Sequence, residues 1–493
     1  MTLLADVALI GGGPAGSAAG RLLASWGHSV VLLSRTSRQP ALAESLPPSC
    51  VKLFDEIGVR AVVDRAGFIR ATGNTVQWAG SDRERRVEMF GRAGLGYQVS
   101  RDKFDELLLD GAQAAGASVE RDVSVRDAER EGDVWRVQFD RPSGPDTIRA
   151  RWILDCSGRA GVIARRGWRR TDSHARTIAI AGIWDRAGAW ALEDATHTFV
   201  ESYANGWAWS IPVSESRRFV TVMLDPRVTS VPGRSELDTA YAAELAQAPA
   251  LRALVEGATM AGAPWACDAT AYSAERVAGD NALLVGDAAS FVDPLSSFGV
   301  KKALASAWLA AITVHSALID PTATDPAVEL FTARELAMAE HLRQGAAALA
   351  RDAAGAHETP FWSARADVDP ARTSDEWDVD ALRTDVRVHA AFEELKRRPA
   401  LRLGTADAVR FVQRPVVRGH RIALEEHLAA PMAPNGVRYC RNVDLVVLAR
   451  LAPRFEQVPD LYEAYNRAAA PAPLPDFLGA LSTLVGFGML TLA

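Results

Sequence analysis

The chain is short of cysteine and of lysine, and it carries no excess of positive charge. Its 493 residues include four cysteines, and only five of its 55 basic residues are lysine. Four scattered thiols are too few for a disulfide framework or a zinc knuckle, and they suit a reducing compartment. A net charge of −6 disfavours a protein that binds nucleic acid through counterion release. We therefore expect a cytoplasmic protein with no nucleic-acid partner, and the histidine spacing predicts no metal site.

Long apolar segments are also scarce. The longest, residues 477–493, contains three glycines and has no basic flank, and at about 1.5 Å per residue it barely reaches across a bilayer core. No basic-then-apolar leader opens the chain, because residues 3–10 run directly into a glycine turn. With 48% apolar and 24% charged residues, the composition is that of a globular protein of about three domains. We expect no membrane span.

The first motif with chemical content is a glycine turn after residue 10. Residues 6–10 predict a buried strand, residues 17–26 a helix and residues 29–33 a second strand. The turn matches the G-x-G-x-x-G fingerprint, in which glycines allow a tight turn, the approach of a diphosphate to backbone amides and close helix packing. The diphosphate then lies at the positive end of the helix. The candidate binding residues here are Gly11, Gly13, Ala15 and Gly16, together with Ser34 in place of the usual ribose-binding acid.

Two later strands end in further motifs. Asp-Cys-Ser-Gly-Arg at 155–159 follows a strand predicted at 151–154, and Gly-Asp-Ala-Ala at 286–289 ends a strand predicted at 281–285. In this order and at these separations, the three motifs resemble those of single-FAD flavoprotein monooxygenases and flavin-dependent halogenases. The resemblance covers roughly residues 5–350. It implies FAD as the cofactor, Asp287 as the residue that binds the ribityl chain, and Arg101 as a helix residue in contact with the cofactor.

Three other segments resemble the halogenase branch of this family. Residues 206–212 match its W-x-W-x-I-P signature, and in a strand the two tryptophans would share one face, either as core packing or as a wall between flavin and substrate. Residues 44–49 resemble a loop over the flavin, and residues 293–300 resemble a segment whose amides approach the flavin pyrimidine. The resemblance adds to the candidate cofactor residues Glu44, Ser45, Gly299 and Val300.

The halogenating residue is absent from the segment where the resemblance places it. In halogenases a lysine ammonium positions or activates hypohalous acid beside the substrate ring. The similar segment here, residues 71–78, contains no lysine, and Asn74 stands about where the ammonium should be. A glutamate used by tryptophan halogenases is replaced by Ser296. Arginine is a poor substitute, because its charge is delocalised and it has no free amine to form a haloamine. None of the five lysines is well placed to replace the missing one: Lys52, Lys103, Lys301, Lys302 and Lys396.

These departures predict an FAD-dependent monooxygenase that hydroxylates an electron-rich aromatic ring, indole or phenol, through a C4a-hydroperoxyflavin. A flavin-dependent halogenase is the alternative. Such a reaction needs a donor or base near the reacting carbon, and the candidate catalytic residues are Asn74, Trp78, Ser296 and Ser297. Gln77, Trp207 and Trp209 are the candidate substrate wall, although Asn74 and Gln77 equally fit polar positions of a turn and a strand.

A looser resemblance concerns the substrate. The arrangement of Gly73, Asn74 and Trp78 is similar to that of lysine-lacking flavoprotein monooxygenases that hydroxylate a peptidyl tryptophan during tryptophylquinone maturation. The expected partner is therefore an aromatic small molecule or a peptide or protein substrate. Because no second nicotinamide fingerprint is present, we expect electrons from a separate flavin reductase or from NAD(P)H directly.

The predicted fold class is α/β. It combines a doubly wound, Rossmann-like (GR2-type) FAD-binding domain, an inserted mixed β-sheet substrate domain and a small α+β, winged-helix-like C-terminal domain. The predicted boundaries are 1–165 and 276–352 for the FAD-binding domain, with part of the substrate wall at 68–98, then 166–275 for the substrate-domain sheet, 353–404 for a linker with helices, and 405–493 for the C-terminal domain. The last is predicted to hold strands at 412–417 and 421–424, helices at 444–451, 459–467 and from 474, and a closing strand at 485–492. It fits a packing or dimerisation module, or one that grips a leader peptide by strand addition.

Overall fold

The computed structural model describes residues 4–36, 40–79, 86–171, 176–229, 236–296, 298–367, 385–398 and 400–492. Two predicted positions are affected by these gaps. Ser297 lies outside the described residues, and so does the side chain of Ser296. The chain divides into two compact units, residues 1–370 and residues 371–493.

A parallel sheet forms the centre of the first unit. Its strands lie in the order Ala282–Leu284, Gly144–Asp155, Leu4–Ile10, Val30–Leu33 and Ser118–Glu120. Two antiparallel strands, Ser124–Glu131 and Val134–Arg141, extend from the long second strand, and Ala278–Gly279 pairs at the edge. Val7, Ala8 and Leu9 are fully buried, as expected for a strand covered on both faces. The predicted doubly wound, Rossmann-like fold is confirmed.

The helices of the first unit pack on this sheet and around it. The first helix begins at Pro14, earlier than predicted, because proline fits the first helical position, where its missing N–H has no partner to lose. Among the described residues, one helix, Gly299–Ile319, is long and apolar enough to cross a membrane, but 78% of its apolar window is buried, as in a core helix. The helices are Pro14–Ser25, Cys50–Ile57, Arg60–Arg65, Arg101–Ala114, Leu237–Ala246, Pro249–Val255, Gly299–Ile319, Thr324–His357 and Pro360–Ala366.

A second, mixed sheet lies in the region predicted as the substrate domain. Its strands lie in the order Thr259–Met260, Ile178–Asp185, Arg217–Leu224, Gly206–Pro212, Thr198–Tyr203, Gly73–Gln77 and Arg86–Met89, and Trp265–Asp268 also pairs with Ile178–Asp185. The strand Gly73–Gln77 pairs in parallel with Thr198–Tyr203 and antiparallel with Arg86–Met89. Helices Leu237–Ala246 and Pro249–Val255 cover one face of this sheet. The other face is left to line the site described below.

Two small three-stranded sheets complete the first unit. One consists of Ala43–Leu46, Gly96–Ser100 and Ile69–Ala71. The other consists of Arg169–Thr171, Tyr272–Ala274 and Ser290–Phe291. The first sheet holds the segment that carries Glu44, and the second holds Phe291, so both contribute to the walls of the site.

The second unit has its own apolar core. A hairpin of Arg410–Arg418 and Arg421–Ala430 turns at Gly419, whose φ is +58°, and Ala433–Val437 adds a third strand. The other elements are strand pairs Leu403–Thr405 with Leu490–Leu492 and Tyr439–Cys440 with Val443–Asp444, and helices Val386–Arg397, Leu445–Leu451, Val458–Ala468 and Leu474–Gly486.

Three features of this unit differ from the sequence expectation. The helix Val386–Arg397, assigned to a linker, contributes Leu395 to the core of the second unit. The third strand, Ala433–Val437, was missed because proline, asparagine and glycine occupy its centre. The last helix continues to Gly486, where a closing strand was predicted from residue 485. Only Leu490–Leu492 forms that strand, after a turn at Gly488 with a φ of +67°.

Candidate functional site

Close backbone contacts hold the glycine turn between the first strand and the first helix. Gly11 has a φ of +112°, and a Cβ there would lie 2.3 Å from the Cys156 carbonyl oxygen. A Cβ at Gly16 would lie 1.9 Å from the Gly11 carbonyl oxygen. At Gly13 the nearest atom to a Cβ would be an Asp105 carboxylate oxygen, 4.0 Å away. Gly11 and Gly16 therefore serve the packing of the turn, whereas Gly13 leaves space beside the first turn of the helix.

This turn forms one wall of a cavity of about 370 Å³ at the carboxyl ends of the parallel strands. We call it the flavin cavity, because that is where doubly wound folds bind their ligands. Eight predicted cofactor residues line it: Gly11, Gly13, Ala15, Glu44, Arg101, Asp287, Gly299 and Val300. Three do not. Gly16 packs against Gly11, Ser34 packs against Gly12, where a Cβ would lie 2.3 Å from the Ser34 hydroxyl oxygen, and Ser45 lines a neighbouring cavity.

Arg101 connects two carboxylates at this wall. Its Nε and Nη2 donate to the two Asp105 carboxylate oxygens at 2.8 and 2.9 Å, and its Nη1 donates to Glu44 at 3.1 Å. Burial lowers the pKa of Arg101, but the two carboxylates outweigh it and raise the pKa above its ordinary value. Desolvation raises the pKa of Glu44, and Arg101 opposes this shift. The wall therefore carries a fixed cation whose charge is largely balanced within the protein.

Lys302, which is not among the predicted site residues, lies in the flavin cavity. Lys302 is 4% exposed, and its ammonium lies 3.0 Å from a carboxylate oxygen of Asp287. The same ammonium donates to the Ser290 carbonyl oxygen and lies 3.4 Å from the Ser290 hydroxyl. Tyr272 donates its hydroxyl to the Asp287 carbonyl oxygen at 2.6 Å. The side chain predicted to bind the ribityl chain is therefore held in place by a buried ammonium.

The Asp-Cys-Ser-Gly-Arg motif forms a second turn at the same end of the sheet. Its first residue, Asp155, is fully buried and accepts hydrogen bonds from the Ser157 hydroxyl at 2.5 Å and from the Ile163 and Ala164 amides at 2.7 and 3.2 Å. This carboxylate therefore orders the turn and does not face the cavity. Ser157 and Gly158 line the flavin cavity.

A second cavity, of about 140 Å³, adjoins the flavin cavity. We call it the substrate cavity. Glu44, Phe291 and Pro294 line both cavities. The rings of Trp207 and Trp209 are stacked with their centroids 4.6 Å apart, on one face of their strand as the alternation predicts. The apolar side chains of the wall include Ala179, Val200, Trp207, Trp209, Ile211 and Leu295.

Trp78 lies behind this wall and does not line either cavity. Its ring packs edge-on against Trp207, with centroids 6.4 Å apart, and against Trp362, 5.2 Å apart. Its indole N–H donates to the Leu349 carbonyl oxygen at 3.2 Å. Trp78 was predicted to be catalytic, but the structure gives it a supporting position, because the residue follows the end of the strand and turns toward the helices.

Asn74 and Gln77 lie on opposite faces of the strand Gly73–Gln77. Asn74 pairs with Thr198, which lines the substrate cavity. Asn74 therefore lies on the same face of the sheet as this cavity, but one strand farther from it. Gln77 pairs with Glu201, and it lies on the opposite face because side chains alternate along a strand. Neither residue lines the cavity itself, and Gln77 is not part of the wall.

Two arginines that were not among the predicted site residues lie at the cavities. Arg35, two residues after the second strand ends at Leu33, lines the flavin cavity. Arg159, the last residue of the Asp-Cys-Ser-Gly-Arg motif, lines the substrate cavity. Each follows the end of a parallel strand by two to four residues, at the end of the sheet where ligands bind, and this position is the signal that could have identified them.

The residues present fit FAD. Gly13 leaves a helix N-terminus open to a diphosphate, Asp287 is held rigidly at the cavity, and the helix that starts at Gly299 presents a second N-terminus. A family model described as "FAD binding domain" matches residues 4–344. Among curated relatives, a tryptophan 2-halogenase of Chondromyces crocatus is 32% identical over 339 residues, which cover 66% of this chain and 64% of that protein.

Two solved structures share the fold over nearly the whole chain. The flavin-dependent halogenase CmlS has a TM-score of 0.78 at 22% identity, with coverage of 100% of this chain and 96% of that one. The peptidyl tryptophan dihydroxylase QhpG has a TM-score of 0.68 at 23% identity, with coverage of 94% and 95%. The chain spans less than two thirds of the length of the first curated relatives, 64% and 65%. The family match and these folds together show that the chain belongs to the FAD-binding domain family, as a flavoprotein similar to flavin-dependent halogenases and monooxygenases.

Proposed function

We propose that the protein is an FAD-dependent monooxygenase that hydroxylates an electron-rich aromatic ring. The observation that carries this proposal is the absence of lysine from the described lining of the substrate cavity. At the position where the halogenase-like segment would carry an ammonium, the strand holds Asn74, whose amide has no titratable proton.

The five lysines are all among the described residues, and each has another position. Lys52 and Lys396 are exposed on helices, and Lys103 donates to the Ala66 carbonyl oxygen at 2.5 Å on the surface. Lys301 lies over the Phe298 ring at 4.5 Å. Lys302 is bound to Asp287 on the flavin side. A haloamine requires a free amine beside the substrate, and this arrangement supplies none.

The chemistry divides between the cofactor and the chain. FAD, when bound and reduced, supplies the activation of O₂. Overall, one oxygen atom enters a C–H bond of the ring as a hydroxyl, and the other leaves as water, with two electrons from NAD(P)H and two protons. We propose that a separate flavin reductase delivers these electrons. The four free thiols are consistent with a cytoplasmic location, which we also propose.

The chain's own residues bind the ring and limit access of water. Trp207 and Trp209 offer an aromatic surface on which an indole or phenol ring can pack. The apolar wall beyond them, with Ile211 and Leu295, disfavours bulk water beside the reacting carbon. Ser45, Thr198 and Thr221 supply hydroxyls at the edge of the cavity that can donate to the substrate or accept from it.

A flavin-dependent halogenase is the second candidate, favoured by the name of the 32% identical relative. Product analysis separates the two. Tryptophan, a phenol and a tryptophan-containing peptide are each incubated with protein, chemically reduced FAD and ¹⁸O₂ in the presence of bromide. Our proposal predicts products that gain ¹⁸O, whereas a bromine isotope pattern would refute it. An Asp287→Asn variant, with the carboxylate removed at the flavin cavity, controls for oxidation by free flavin.

A further inference from the structure

Arg159 brings a cation to the wall of an otherwise largely apolar substrate cavity. Its guanidinium carbon lies 4.0 Å from the centroid of the Phe291 ring, and Phe291 lines both cavities. Its Nη2 lies 3.4 Å from a carboxylate oxygen of Asp268, whose side chain is 68% exposed. The guanidinium is therefore fixed from one side by an aromatic ring and from the other by a solvent-facing carboxylate.

The remaining terminal nitrogen of this guanidinium is not satisfied. Nη1 is shielded from solvent, and it has no hydrogen-bond partner in the described part of the chain. A buried N–H of a charged group that lacks an acceptor is costly, so such groups usually meet a ligand or a polar partner. The site therefore offers a strong donor for which the described protein supplies no acceptor.

The other charged groups of the cavity do not meet this need. Glu44 is engaged by Arg101 at 3.1 Å. Asp268 accepts from the Thr270 amide at 2.8 Å and contacts only the other arm of Arg159. An incoming ring that packs against Trp207 and Trp209 would find two donors without a partner in the described chain, the indole Nε1 of Trp207 and Nη1 of Arg159. Of the two, only the Arg159 nitrogen belongs to a positively charged group.

We propose that Arg159 is a specificity-determining residue that binds an anionic oxygen on the aromatic substrate. The substrate class is an aromatic ring that bears a carboxylate or a phenolate, with the ring against the tryptophans and the oxygen at Nη1. Guanidinium–oxyanion hydrogen bonds are among the strongest available for such recognition. The inference rests on the proposed function for the aromatic nature of the ligand, and it holds for either ring hydroxylation or ring halogenation.

The test measures binding and needs no turnover, so its failure is distinct from failure of the proposed function. Affinities are measured by tryptophan fluorescence and calorimetry on the full chain saturated with oxidised FAD. One probe pair is indole-3-acetate and indole-3-acetamide, which isolates a carboxylate. The other is a nitrophenol that is ionised at the assay pH and its methyl ether, which isolates a phenolate.

In the unaltered protein, the anionic member of at least one pair is expected to bind about tenfold more tightly than its neutral partner, as one charge-assisted hydrogen bond allows. Which pair shows the preference identifies the anion. Arg159→Met keeps the apolar stem and is expected to remove the preference with little effect on the neutral probe. Arg159→Lys is expected to retain part of it.

Two further variants keep the result interpretable. Arg217→Met removes an arginine that pairs with Asp185 and does not line the cavity, and it should leave the preference unchanged. Asp268→Asn removes the competing carboxylate and should increase the preference, which tests the proposal even if Arg159→Met does not fold. The proposal is overturned if the unaltered protein shows no preference in either pair. It is also overturned if Arg159→Met weakens FAD binding while the preference persists, because the guanidinium would then serve the cofactor.

Discussion

The buried carboxyl of Glu335 allows a direct test of how an ionisable group in the core beneath the flavin cavity affects stability. Glu335 lies in the helix Thr324–His357 and is 7% exposed. Burial raises the pKa of Glu335 from 4.5 to about 7, although a hydrogen bond with Ser306 and the charge of Lys302 oppose the rise. The Ser306 hydroxyl also accepts from the Gly286 amide at 2.9 Å, next to Asp287. The perturbation we consider is Glu335→Gln, which keeps the volume and removes the charge.

The sign and size of the effect follow from linkage. Because the pKa in the folded state is higher than in the unfolded state, the contribution of Glu335 to stability is complete below about pH 4.5 and is lost as the pH rises through 7. At about 1.4 kcal/mol per pKa unit, the interval between 4.5 and about 7 corresponds to about 3 kcal/mol. The Glu335→Gln variant has no carboxyl to ionise, so its stability does not fall in this way as the pH rises. We therefore expect its free energy of unfolding to lie within about 1 kcal/mol of the parent near pH 5 and to exceed it by up to about 3 kcal/mol near pH 8.5.

The assay is urea denaturation of FAD-saturated parent and variant between pH 5 and pH 9. Flavin fluorescence reports unfolding of the first unit, and FAD is held in constant excess because bound ligand shifts stability by mass action. Glu329→Gln, which removes an exposed carboxylate from the same helix, is the matched control. The reasoning is refuted if the stability curves of parent and Glu335→Gln run parallel across this range, or if the variant is the less stable of the two at pH 8.5.

Four other substitutions test the site itself. Lys302→Met removes the ammonium 3.0 Å from Asp287 and should weaken FAD binding about tenfold, as measured by fluorescence titration; unchanged affinity contradicts the assigned role. Gly13→Ala should fold normally but bind FAD weakly. Gly16→Ala should fail to form the turn, because its Cβ would meet a carbonyl oxygen at 1.9 Å. Thermal melts distinguish the two variants, since only Gly16→Ala should lose stability. Trp78→Phe loses a hydrogen bond to a backbone carbonyl, so stability should fall by about 1 kcal/mol while product identity, read by mass spectrometry, stays the same.

The local patterns predicted the fold well because they are governed by neighbours in sequence. The strand, glycine turn and helix after residue 10 follow from apolar runs and glycine, and the shared face of Trp207 and Trp209 follows from strand alternation. The strand Ala433–Val437 escaped prediction because its pairing with Arg421–Ala430 outweighs the poor strand propensity of proline, asparagine and glycine.

The site was predicted less completely, because its charged groups meet across large distances in sequence. Nothing local tells that Lys302, one turn into its helix, points at Asp287 and Ser290 rather than at solvent. Trp78 fits a catalytic position by resemblance, yet its direction is decided by packing against Trp362, nearly three hundred residues later. Such contacts depend on the tertiary arrangement, which periodicity does not encode.

The two cavities differ in the kind of cation that each contains. The only buried ammonium in the described residues, that of Lys302, is used on the flavin side, where its contacts with Asp287 and Ser290 leave it unavailable to a substrate. The substrate side has a guanidinium instead, that of Arg159, which has no free amine to capture an electrophilic halogen. A guanidinium at that position can fix an anionic substituent and so select which carbon of the ring faces the flavin. The lack of an ammonium in the described lining of the substrate cavity therefore argues against halogen transfer, and the guanidinium of Arg159 favours positional control of a ring that, under the proposed function, reacts directly with activated oxygen.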